Sequence, residues 1–379
     1  MPSLRPVWVE VDLSVIRANV GILRRLARSE AFMAVVKANA YGHGAVPVAR
    51  AALAAGADWL GVATLGEALE LRQAGLTAPI LILGHTPADQ APVVVAHDLI
   101  QAVYDLHTGA ALGQAGRAAG RRARVHIKVD TGMGRLGILP TAAGVALARE
   151  LSAIEGLSLE GVFTHFAAAD AADKTAARRQ FGLFQGFLRQ TEDIGWRWRH
   201  CANSAAILDL PETHLDMVRA GISLYGLRPS AETGWHEGLR PALAWKAKLA
   251  FVKRVPAGTT VSYGCEFSAP AEGTVLTLPL GYADGYRRGY SGAEVVVKGK
   301  RLRVVGRVCM DQTMAWDGEA GPGDYAIGDE AALIGSQGRS TVTADALARH
   351  AGTINYEVVT AISGRVPRIY AGEREETAQ

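Results

Sequence analysis

The first two-thirds of the sequence alternates β-branched apolar runs with Ala-, Leu- and Arg-rich segments of helical period, which limits the possible folds more than any other feature. About eight strand–helix units in ~230 residues predict a (β/α)8 barrel of the TIM type. A doubly wound open sheet also alternates, but it usually has fewer strands. The predicted strands are Ala34–Asn39, Trp59–Thr64, Pro79–Gly84, Leu99–Tyr104, Val125–Asp130, Leu159–Phe166, Trp198–Asn203 and Met217–Ile222.

The last third has a different pattern. Residues 229–239 are polar and contain Pro, Gly and Trp, so they are interpreted as a connector. Short apolar runs then follow with Gly-rich turns between them and no helical segment before residue 344, which predicts a mostly antiparallel β domain. We therefore expect a barrel over residues 12–233 and a β domain over residues 234–379, joined by an N-terminal strand within residues 1–11.

Composition excludes several classes of function. The 379 residues include 40 Lys and Arg against 37 Asp and Glu, and the basic residues are scattered, so we expect binding to neither nucleic acid nor membrane surfaces. No run approaches the ~18 uncharged apolar residues of a membrane helix. The first residues lack the apolar segment of a secretion signal, and the three cysteines are far apart. These features predict a cytoplasmic protein with free thiols and no metal site.

Polar residues stand at the predicted carboxyl ends of the barrel strands. These ends all open at one end of a barrel, which is where barrel enzymes have their active sites. Any one such residue is equally well explained as part of an ordinary polar rim, but a set of this size indicates a site. The residues are Lys37, Lys128, Asp130, His165, Asn203 and Ser204, and Arg219 lies inside the predicted eighth strand.

Lys37 is the most informative of these residues. It follows the apolar run Ala34–Val36, so its ammonium group is expected at the edge of a buried strand. Burial lowers the pKa of a lysine from its usual value of about 10.4, and a neutral amine can form a Schiff base with a carbonyl compound. The alternative is a lysine whose stem lies on apolar surface while its ammonium group reaches water.

Two other motifs resemble those of ligand-binding sites, one for a dinucleotide and one for a metal. The segment Gly132–Gly137 matches the dinucleotide pattern GxGxxG, but Ile138–Pro140 separates it from the next helix, which those glycines would have to begin. His43 lies between two glycines and has no second residue at metal-ligand spacing. We therefore expect neither a nucleotide at Gly132–Gly137 nor a metal at His43.

Nine short motifs, in order along both predicted domains, resemble those of the alanine racemases, which depend on pyridoxal 5′-phosphate. Each motif alone is modestly specific, whereas the ordered set is very specific. The resemblance implies interconversion of L-alanine and D-alanine by two bases, either to supply D-alanine for peptidoglycan or to consume it. The motifs are Val36–Gly44, Lys128–Arg135, Thr164–Phe166, Asn203–Ala205, Arg219–Ile222, Val261–Gly264, Gly281–Gly285, Cys309–Gln312 and Ile354–Glu357.

The resemblance also implies catalytic roles. Lys37 would carry the cofactor in a Schiff base, and Arg219 would face the pyridine nitrogen of the cofactor. Lys37 and Tyr263 would be the two bases, with Tyr263 coming from the partner subunit of a homodimer and His165 lying between Tyr263 and Arg219. The residues implied to bind the cofactor are Lys37, Tyr41, His165, Asn203, Ser204, Arg219, Gly221, Ile222 and Tyr356.

Further residues are implied to bind the substrate, alanine. Lys128 matches a lysine that is carbamylated in many family members and that braces the arginine matched by Arg135. Cys265 and Glu266 depart from the pattern, since many relatives carry basic or hydroxyl residues there, which leaves the breadth of substrates open. The residues implied to bind the substrate are Arg135, Met310, Asp311 and Tyr282.

Two alternatives remain open besides a related decarboxylase, which would lack this context of Tyr263, Met310 and Asp311. One is a broad-specificity amino-acid racemase with the same residues, although Tyr356 at the substrate entrance favours a small side chain. The other is a barrel that carries pyridoxal phosphate without turnover. Single-domain proteins of that kind lack a β domain with a residue such as Tyr263, so the last third of the sequence favours an enzyme.

Overall fold

The computed structural model describes residues 5–372, which divide into two compact units. The first, here called the barrel unit, comprises residues 14–40 and 45–241. The second, here called the β unit, comprises residues 5–13, 41–44 and 242–372. Residues 1–4 of the predicted N-terminal strand and residues 373–379 of the predicted β domain lie outside the described residues.

The barrel unit contains eight parallel strands, numbered first to eighth in chain order, and each pairs with the next as far as the seventh. The eighth strand pairs with the first. Backbone hydrogen bonds from Asp216 N to Arg199 O (3.2 Å) and from Arg219 N to Ala202 O (3.0 Å) connect the seventh with the eighth. The predicted (β/α)8 barrel is confirmed. Its strands are Ala31–Val35, Trp59–Val62, Ile80–Ile82, Ile100–Val103, Ala123–Lys128, Leu157–Phe163, Trp198–His200 and Met217–Ala220.

Helices connect these strands, and short polar side chains begin several of them. Four side chains each accept the backbone N–H of the residue three positions later, which is the usual N-cap interaction. They belong to Thr64, Asp105, Thr141 and Asn203. Gly56, Gly75 and Gly195 have φ values of 99°, 81° and 73°, as expected for glycines that follow helices. The helices are Leu13–Leu26, Ala45–Ala54, Leu65–Gln73, Ala91–Ala96, Leu106–Ala118, Ala142–Ser152, Thr175–Gln190 and Ser204–Asp209.

The β unit is built on a ten-stranded sheet in which neighbouring strands are antiparallel, except that the first and last pair in parallel. The predicted antiparallel β domain is confirmed. Its strands are Val7–Asp12, Leu243–Lys248, Phe251–Val255, Gly273–Leu278, Glu294–Val297, Lys300–Val305, Thr313–Asp317, Glu330–Gln337, Ser340–Val342 and Arg368–Ala371. A separate two-stranded hairpin, Thr260–Val261 with Phe267–Ser268, and the helices Ala344–His350 and Asn355–Thr360 complete the unit.

Among residues 5–372, no helix is long and apolar enough to cross a membrane. In the same part of the chain, no group of three or more His, Cys, Asp or Glu side chains is arranged to hold a metal ion.

Candidate active site

Lys37 lies two residues beyond the first strand, at the start of a left-handed turn. Ala38, Asn39, Ala40 and Tyr41 have φ values of 52–53°, a conformation that costs a non-glycine residue roughly 1–2 kcal/mol. The predicted strand over Ala34–Asn39 is therefore wrong at its end, since the strand stops at Val35. Backbone strain of this kind persists where surrounding contacts enforce it, and it is common at functional sites.

Two side chains hold this turn. Glu67 Oε1 accepts the N–H of Ala38 at 2.8 Å, and Asn39 Oδ1 accepts the N–H of Ala45 at 2.8 Å. The second oxygen of Glu67 accepts the N–H groups of Ala63 (2.7 Å) and Thr64 (3.2 Å). Glu67 thus ties the start of the helix Leu65–Gln73 to the residue after Lys37.

The environment of Lys37 favours its neutral form. Burial lowers the pKa of Lys37, the positive charge of Arg135 lowers it further, and the carboxylate of Glu67 acts in the opposite direction. A lysine with a lowered pKa has more neutral amine at neutral pH than an exposed lysine. This is the property that a lysine needs to form a Schiff base.

Lys128, the last residue of the fifth strand, is a second buried amine. Its pKa is lowered to about 7 by burial and by the charges of Arg219 and Arg135, against the opposing effect of Asp130. The ammonium nitrogen lies 5.0 Å from the ring centroid of Phe163. Lys128 therefore exists in part as a neutral amine at neutral pH.

The glycine-rich segment after the fifth strand folds around Asp130. The Oδ1 atom of Asp130 accepts the N–H groups of Gly132 (2.9 Å), Met133 (2.9 Å) and Gly134 (3.1 Å). The N–H groups that a pyrophosphate would need are thus bound to a side chain, and the next helix begins only at Ala142. Arg135 lies in this loop and is exposed.

Arg219 is buried in the eighth strand among neutral acceptors. Its Nη1 lies 2.9 Å from Nδ1 of His200. Its Nη2 donates to the carbonyl oxygens of Thr164 (2.8 Å) and Cys201 (3.1 Å). The same Nη2 lies 3.3 Å from Nδ1 of His165. Burial lowers the pKa of Arg219 to about 10, so the guanidinium remains charged at neutral pH. Among the described residues no carboxylate forms an ion pair with it.

His165 follows the sixth strand and is neutral. Burial and then the charge of Arg219 lower the pKa of His165 well below its usual value. A guanidinium can only donate hydrogen bonds, so Nδ1 of His165 is the acceptor and its proton is on Nε2. The positive charge next to His165 is therefore carried by Arg219.

Ser204 joins the start of a helix to the turn after the eighth strand. Its Oγ accepts the N–H of Gly221 at 2.9 Å and that of Ser223 at 3.3 Å. Asn203 is the N-cap of the helix, with Oδ1 accepting the N–H of Ala206 at 3.1 Å. The Oγ atom of Ser223 is buried here without a hydrogen-bond partner among the described residues. Hydroxyl and backbone N–H groups collected in this way are suited to a phosphate.

In the β unit, Tyr263 projects from the hairpin Thr260–Ser268. Its side chain is 70% exposed, whereas Val261 of the same hairpin belongs to a buried apolar cluster. Tyr263, Met310 and Asp311 line an open depression of about 480 Å³. The hairpin is thus anchored, while its tyrosine remains accessible from outside the unit.

The other predicted site residues of the β unit lie in four segments. The N–H of Tyr282 donates to Cys309 O (3.1 Å), which holds the segment of Tyr282 against that of Met310, and Asp311 accepts a hydrogen bond from Arg365 (2.8 Å). The rings of Tyr41 and Tyr356 are 6.2 Å apart, and burial raises the pKa of Tyr41 to about 12.

The two residues that depart from the family pattern and the turn histidine also lie in the β unit. Glu266 forms an ion pair with Arg307. His43 is buried with Nδ1 2.9 Å from Tyr41 O, as expected for a turn histidine.

The barrel unit thus brings together Lys37, Lys128, His165, Asn203, Ser204, Arg219, Gly221 and Ile222, and the exposed Arg135 affects the pKa of both lysines. Tyr41, Tyr263, Tyr282, Met310, Asp311 and Tyr356 belong to the β unit. Sequence reasoning missed Glu67 and His200, which contact this site directly. A histidine inside a predicted barrel strand was a signal for His200, whereas Glu67 gave none.

Comparison with known proteins gives one consistent result. The model of the alanine racemase N-terminal domain matches residues 11–229, and that of the C-terminal domain matches residues 242–370. The alanine racemase of Symbiobacterium thermophilum is 48% identical over 376 residues, which cover 98% of this chain and 99% of the relative.

Solved structures agree with this comparison. The alanine racemase from D-cycloserine-producing Streptomyces lavendulae has a TM-score of 0.93 and 45% identity, covering 98% of this chain and 99% of that one. The histidine racemase of Leuconostoc mesenteroides subsp. sake has a TM-score of 0.89 and 31% identity, covering 98% and 99%. With both domains matched and a relative this similar over its full length, the chain belongs to the alanine racemase family.

Proposed function

We propose that this chain interconverts L-alanine and D-alanine, with Lys37 and Tyr263 as two bases that act on opposite faces of the substrate. As a family member it is a pyridoxal-phosphate-dependent isomerase. The observation that carries the proposal is that the barrel unit combines a lysine of lowered pKa with a buried, charged arginine whose hydrogen-bond acceptors, within the described part of the chain, are all neutral.

The residues of the barrel unit fit the cofactor. Lys37 offers an amine for its aldehyde. We assign Ser204 and the N–H groups of Gly221 and Ile222 to its phosphate, beside the buried hydroxyl of Ser223. The N–H of Gly221, which donates to Ser204 Oγ here, would then donate to the phosphate instead. When bound, the cofactor withdraws electrons from the amino acid and acidifies its α-proton. The resemblance of their motifs assigns Tyr41 and Tyr356 to the phosphate as well, and Asn203 holds the helix of Ser204.

Arg219 is assigned to the pyridine nitrogen of the cofactor. With a pKa of about 10, the guanidinium donates a hydrogen bond at neutral pH without giving up its proton. A ring nitrogen held by Arg219 would stay unprotonated and would withdraw less charge than a protonated one. We expect this to limit side reactions in which the proton returns to the wrong carbon.

Racemisation needs proton transfer at both faces of the α-carbon, which one base cannot easily reach. We assign removal of the proton from D-alanine to the neutral amine of Lys37 and removal from L-alanine to the phenolate form of Tyr263. His165 donates through Nε2–H toward Tyr263 in this proposal, because its Nδ1 accepts from Arg219. Arg135 and the N–H of Met310 are assigned to the substrate carboxylate, Tyr282 to the entrance, and Asp311 to the substrate-binding residues beside Met310.

We propose further that two copies of this chain form a homodimer in which Tyr263 acts in the active site of the partner subunit. The 70% exposure of Tyr263 and the 53% exposure of Met310 beside it support this assignment, since catalytic groups usually function away from bulk water. A two-fold dimer of this kind would have two equivalent shared sites.

Lys128 is proposed to be carbamylated. Carbon dioxide adds to a neutral amine to form a carbamate and release a proton, and the pKa of Lys128, about 7, supplies the neutral amine. The modification would replace a cation near Arg135 and Arg219 with an anion, changing repulsion into attraction.

A broad-specificity racemase is the second candidate. The histidine racemase that shares this fold at 31% identity indicates that the architecture also suits larger substrates. The alanine racemases compared above are more similar, at 45% and 48% identity, which favours alanine.

We propose a cytoplasmic enzyme that supplies D-alanine for peptidoglycan, with D-alanine catabolism as the alternative. The free cysteines Cys201, Cys265 and Cys309 are compatible with a reducing compartment.

The test uses purified protein loaded with pyridoxal phosphate. It is incubated separately with the L forms of alanine, serine, histidine, lysine and arginine, and the D product is measured by chiral chromatography. We expect D-alanine to form fastest, and we expect the Lys37→Ala variant to lose both racemisation and the visible absorbance of the bound cofactor. Faster racemisation of lysine or histidine would favour the second candidate, and no racemisation of any amino acid would contradict both.

A further inference from the structure

A chain of three polar side chains runs through the inside of the barrel, where barrels usually contain apolar branched residues. It leads from Arg219 to His200 and from His200 to His126, and both histidines are fully buried. The distance from Arg219 Nη1 to His200 Nδ1 is 2.9 Å, and that from His200 Nε2 to His126 Nδ1 is also 2.9 Å. The two histidines lie on the seventh and fifth strands.

The chemistry of the three groups sets the direction of these hydrogen bonds. Arg219 can only donate, so Nδ1 of His200 accepts and the proton of a neutral His200 is on Nε2. Nε2–H of His200 must then donate to Nδ1 of His126, which places the proton of His126 on its own Nε2. Burial, before any neighbouring charge, lowers the pKa of His126 to about 3 and that of His200 well below its usual value, so both rings are neutral.

The neighbouring residues are shaped to hold both rings. A Cβ atom at Gly161, on the sixth strand, would lie 2.6–2.7 Å from the ring atoms of His126, so only glycine leaves room for this imidazole. The pairing of the fifth and sixth strands shifts register just before His126, which places Gly161 opposite it. Phe163 stacks on His200 with the ring planes 5° apart and the centroids 4.9 Å apart.

The far end of this chain of hydrogen bonds, at His126, has an energetic cost. The Nε2 atom of His126 is buried without a hydrogen-bond partner among the described residues, and a buried donor in this state is destabilising. An apolar residue at position 126 would avoid the cost. The benefit of a histidine here is therefore the acceptor that it offers to His200.

We propose that His200 and His126 are positioning residues for Arg219: their one-directional hydrogen bonds fix the guanidinium in the orientation that its assigned role at the pyridine nitrogen requires. The inference rests on the proposed function. His200, Thr164, Cys201 and His165 supply the acceptors of Arg219 among the described residues, so its Nε–H and one Nη1–H remain for a ligand. His126 acts one step further away, by holding His200 in the tautomer that accepts.

The first test measures the tautomers directly in the holoenzyme. Long-range ¹H–¹⁵N NMR spectra of protein labelled with ¹⁵N-histidine distinguish a protonated ring nitrogen from an unprotonated one. For both His126 and His200 we expect a protonated Nε2 and an unprotonated Nδ1, unchanged between pH 6 and 9. A proton on Nδ1 of either ring, or a titration of either ring in this range, would overturn the proposal.

The second test uses two substitutions of similar shape. His126→Asn keeps an oxygen acceptor near the position of Nδ1, whereas His126→Leu has the same branching without any acceptor. We expect His126→Leu to lower kcat for alanine about tenfold with KM within about twofold, and His126→Asn to stay within about threefold of the unmodified enzyme. Only in His126→Leu should the NMR signals of His200 no longer show a protonated Nε2 and an unprotonated Nδ1.

The outcomes separate the inference from the proposed function. Equal kcat values for His126→Asn and His126→Leu, with unchanged His200 signals in both, would show that the chain does not position Arg219. Thermal unfolding of both variants identifies a loss of activity that comes only from unfolding. If the unmodified protein does not racemise alanine, the proposed function fails, and the NMR spectra still decide whether the directed chain exists.

Discussion

At the scale of single residues, the site is distinguished by positive groups that form no ion pair with a carboxylate among residues 5–372. Arg219 has neutral acceptors, and its charge lowers the pKa of Lys128 and of His165. Arg135 lowers the pKa of Lys37 and Lys128 in the same way. The cluster therefore raises the neutral fraction of both lysines above that of an exposed lysine, which makes both amines more available to electrophiles.

Lys128 provides a prediction that depends on pH. Its neutral fraction grows as pH rises through its pKa of about 7, so a carbamate should be abundant at pH 8 and largely absent at pH 6. We expect ¹³C NMR in ¹³C-bicarbonate to show a carbamate signal that Lys128→Met removes. Lys253, a surface lysine of the β unit, is the matched control, since Lys253→Met should leave the signal unchanged. A signal that persists in Lys128→Met would assign the carbamate to another amine.

The site residues that could be predicted from the sequence are those whose position along the chain indicates a role. Lys37, Ser204 and Arg219 stand at or near strand ends, where polar groups are noticeable against apolar runs. His126 and His200 lie inside the predicted strands Val125–Asp130 and Trp198–Asn203, and a histidine inside a strand is usually a satisfied core residue. Glu67 was not predictable, because its contact with Ala38 joins residues 29 apart in the chain and exists only in the folded barrel.

At the scale of elements, the turn after the first strand is the clearest case in which tertiary contacts override local preference. The segment Ala38–Tyr41 contains no glycine, so nothing in its composition indicates four successive left-handed residues. A strand continuing to Asn39 was the natural prediction. The side chains of Glu67 and Asn39 stabilise the turn by accepting hydrogen bonds from backbone N–H groups.

Substitution of Glu67 tests this explanation. Glu67→Gln keeps one acceptor oxygen but replaces the other with an NH2 group, which faces backbone donors. We expect the free energy of unfolding to fall by about 1–3 kcal/mol and kcat to fall about tenfold, because the turn that places Lys37 loses a hydrogen bond. Chemical denaturation and steady-state kinetics measure the two effects.

The control is Glu70→Gln on the exposed side of the same helix, which should change neither quantity noticeably. The account of the turn would be wrong if Glu67→Gln behaved like Glu70→Gln.

A second element shows the same limit of sequence patterns. Within the predicted β domain, the run Leu302–Gln312 predicts one strand from the sequence, but the chain forms Lys300–Val305 and Thr313–Asp317 with a loop between them. Gly306 begins this loop with a φ of 65°, and a Cβ atom there would lie 2.6 Å from the carbonyl oxygen of Val261. The run is therefore divided by close packing against the hairpin of Tyr263, which no local pattern reveals.

At the scale of the whole molecule, the alternation of strands and helices was sufficient to predict the barrel, and the loss of helices after residue 240 was sufficient to predict the β domain. Membership of residues 41–44 in the β unit was not predictable, because it depends on contacts with residues more than 300 positions away. Gly42 approaches Val359 so closely that a Cβ atom would lie 2.2 Å from its carbonyl oxygen.

Sharing of active sites between subunits predicts a specific result for mixed dimers. Lys37→Ala and Tyr263→Ala should each be inactive alone. When the two variants are unfolded together, refolded and loaded with cofactor, half of the dimers should be mixed, and each mixed dimer should have one intact site out of two. We therefore expect about a quarter of the activity of unmodified enzyme treated in the same way.

Refolded mixtures of each variant with itself are the controls. If the mixed preparation is as inactive as these controls while sedimentation shows dimers, Lys37 and Tyr263 act within one subunit or not at all.

The most direct test of the two-base assignment is exchange of the α-proton in D2O, followed separately for each enantiomer by ¹H NMR. In Tyr263→Phe, which lacks only the phenol oxygen, D-alanine should still exchange its α-proton through Lys37, whereas exchange from L-alanine should fall by at least about a hundredfold. Equal loss for both enantiomers, or exchange from L-alanine at the rate of the unmodified enzyme, would contradict the assignment of Lys37 and Tyr263 to opposite faces.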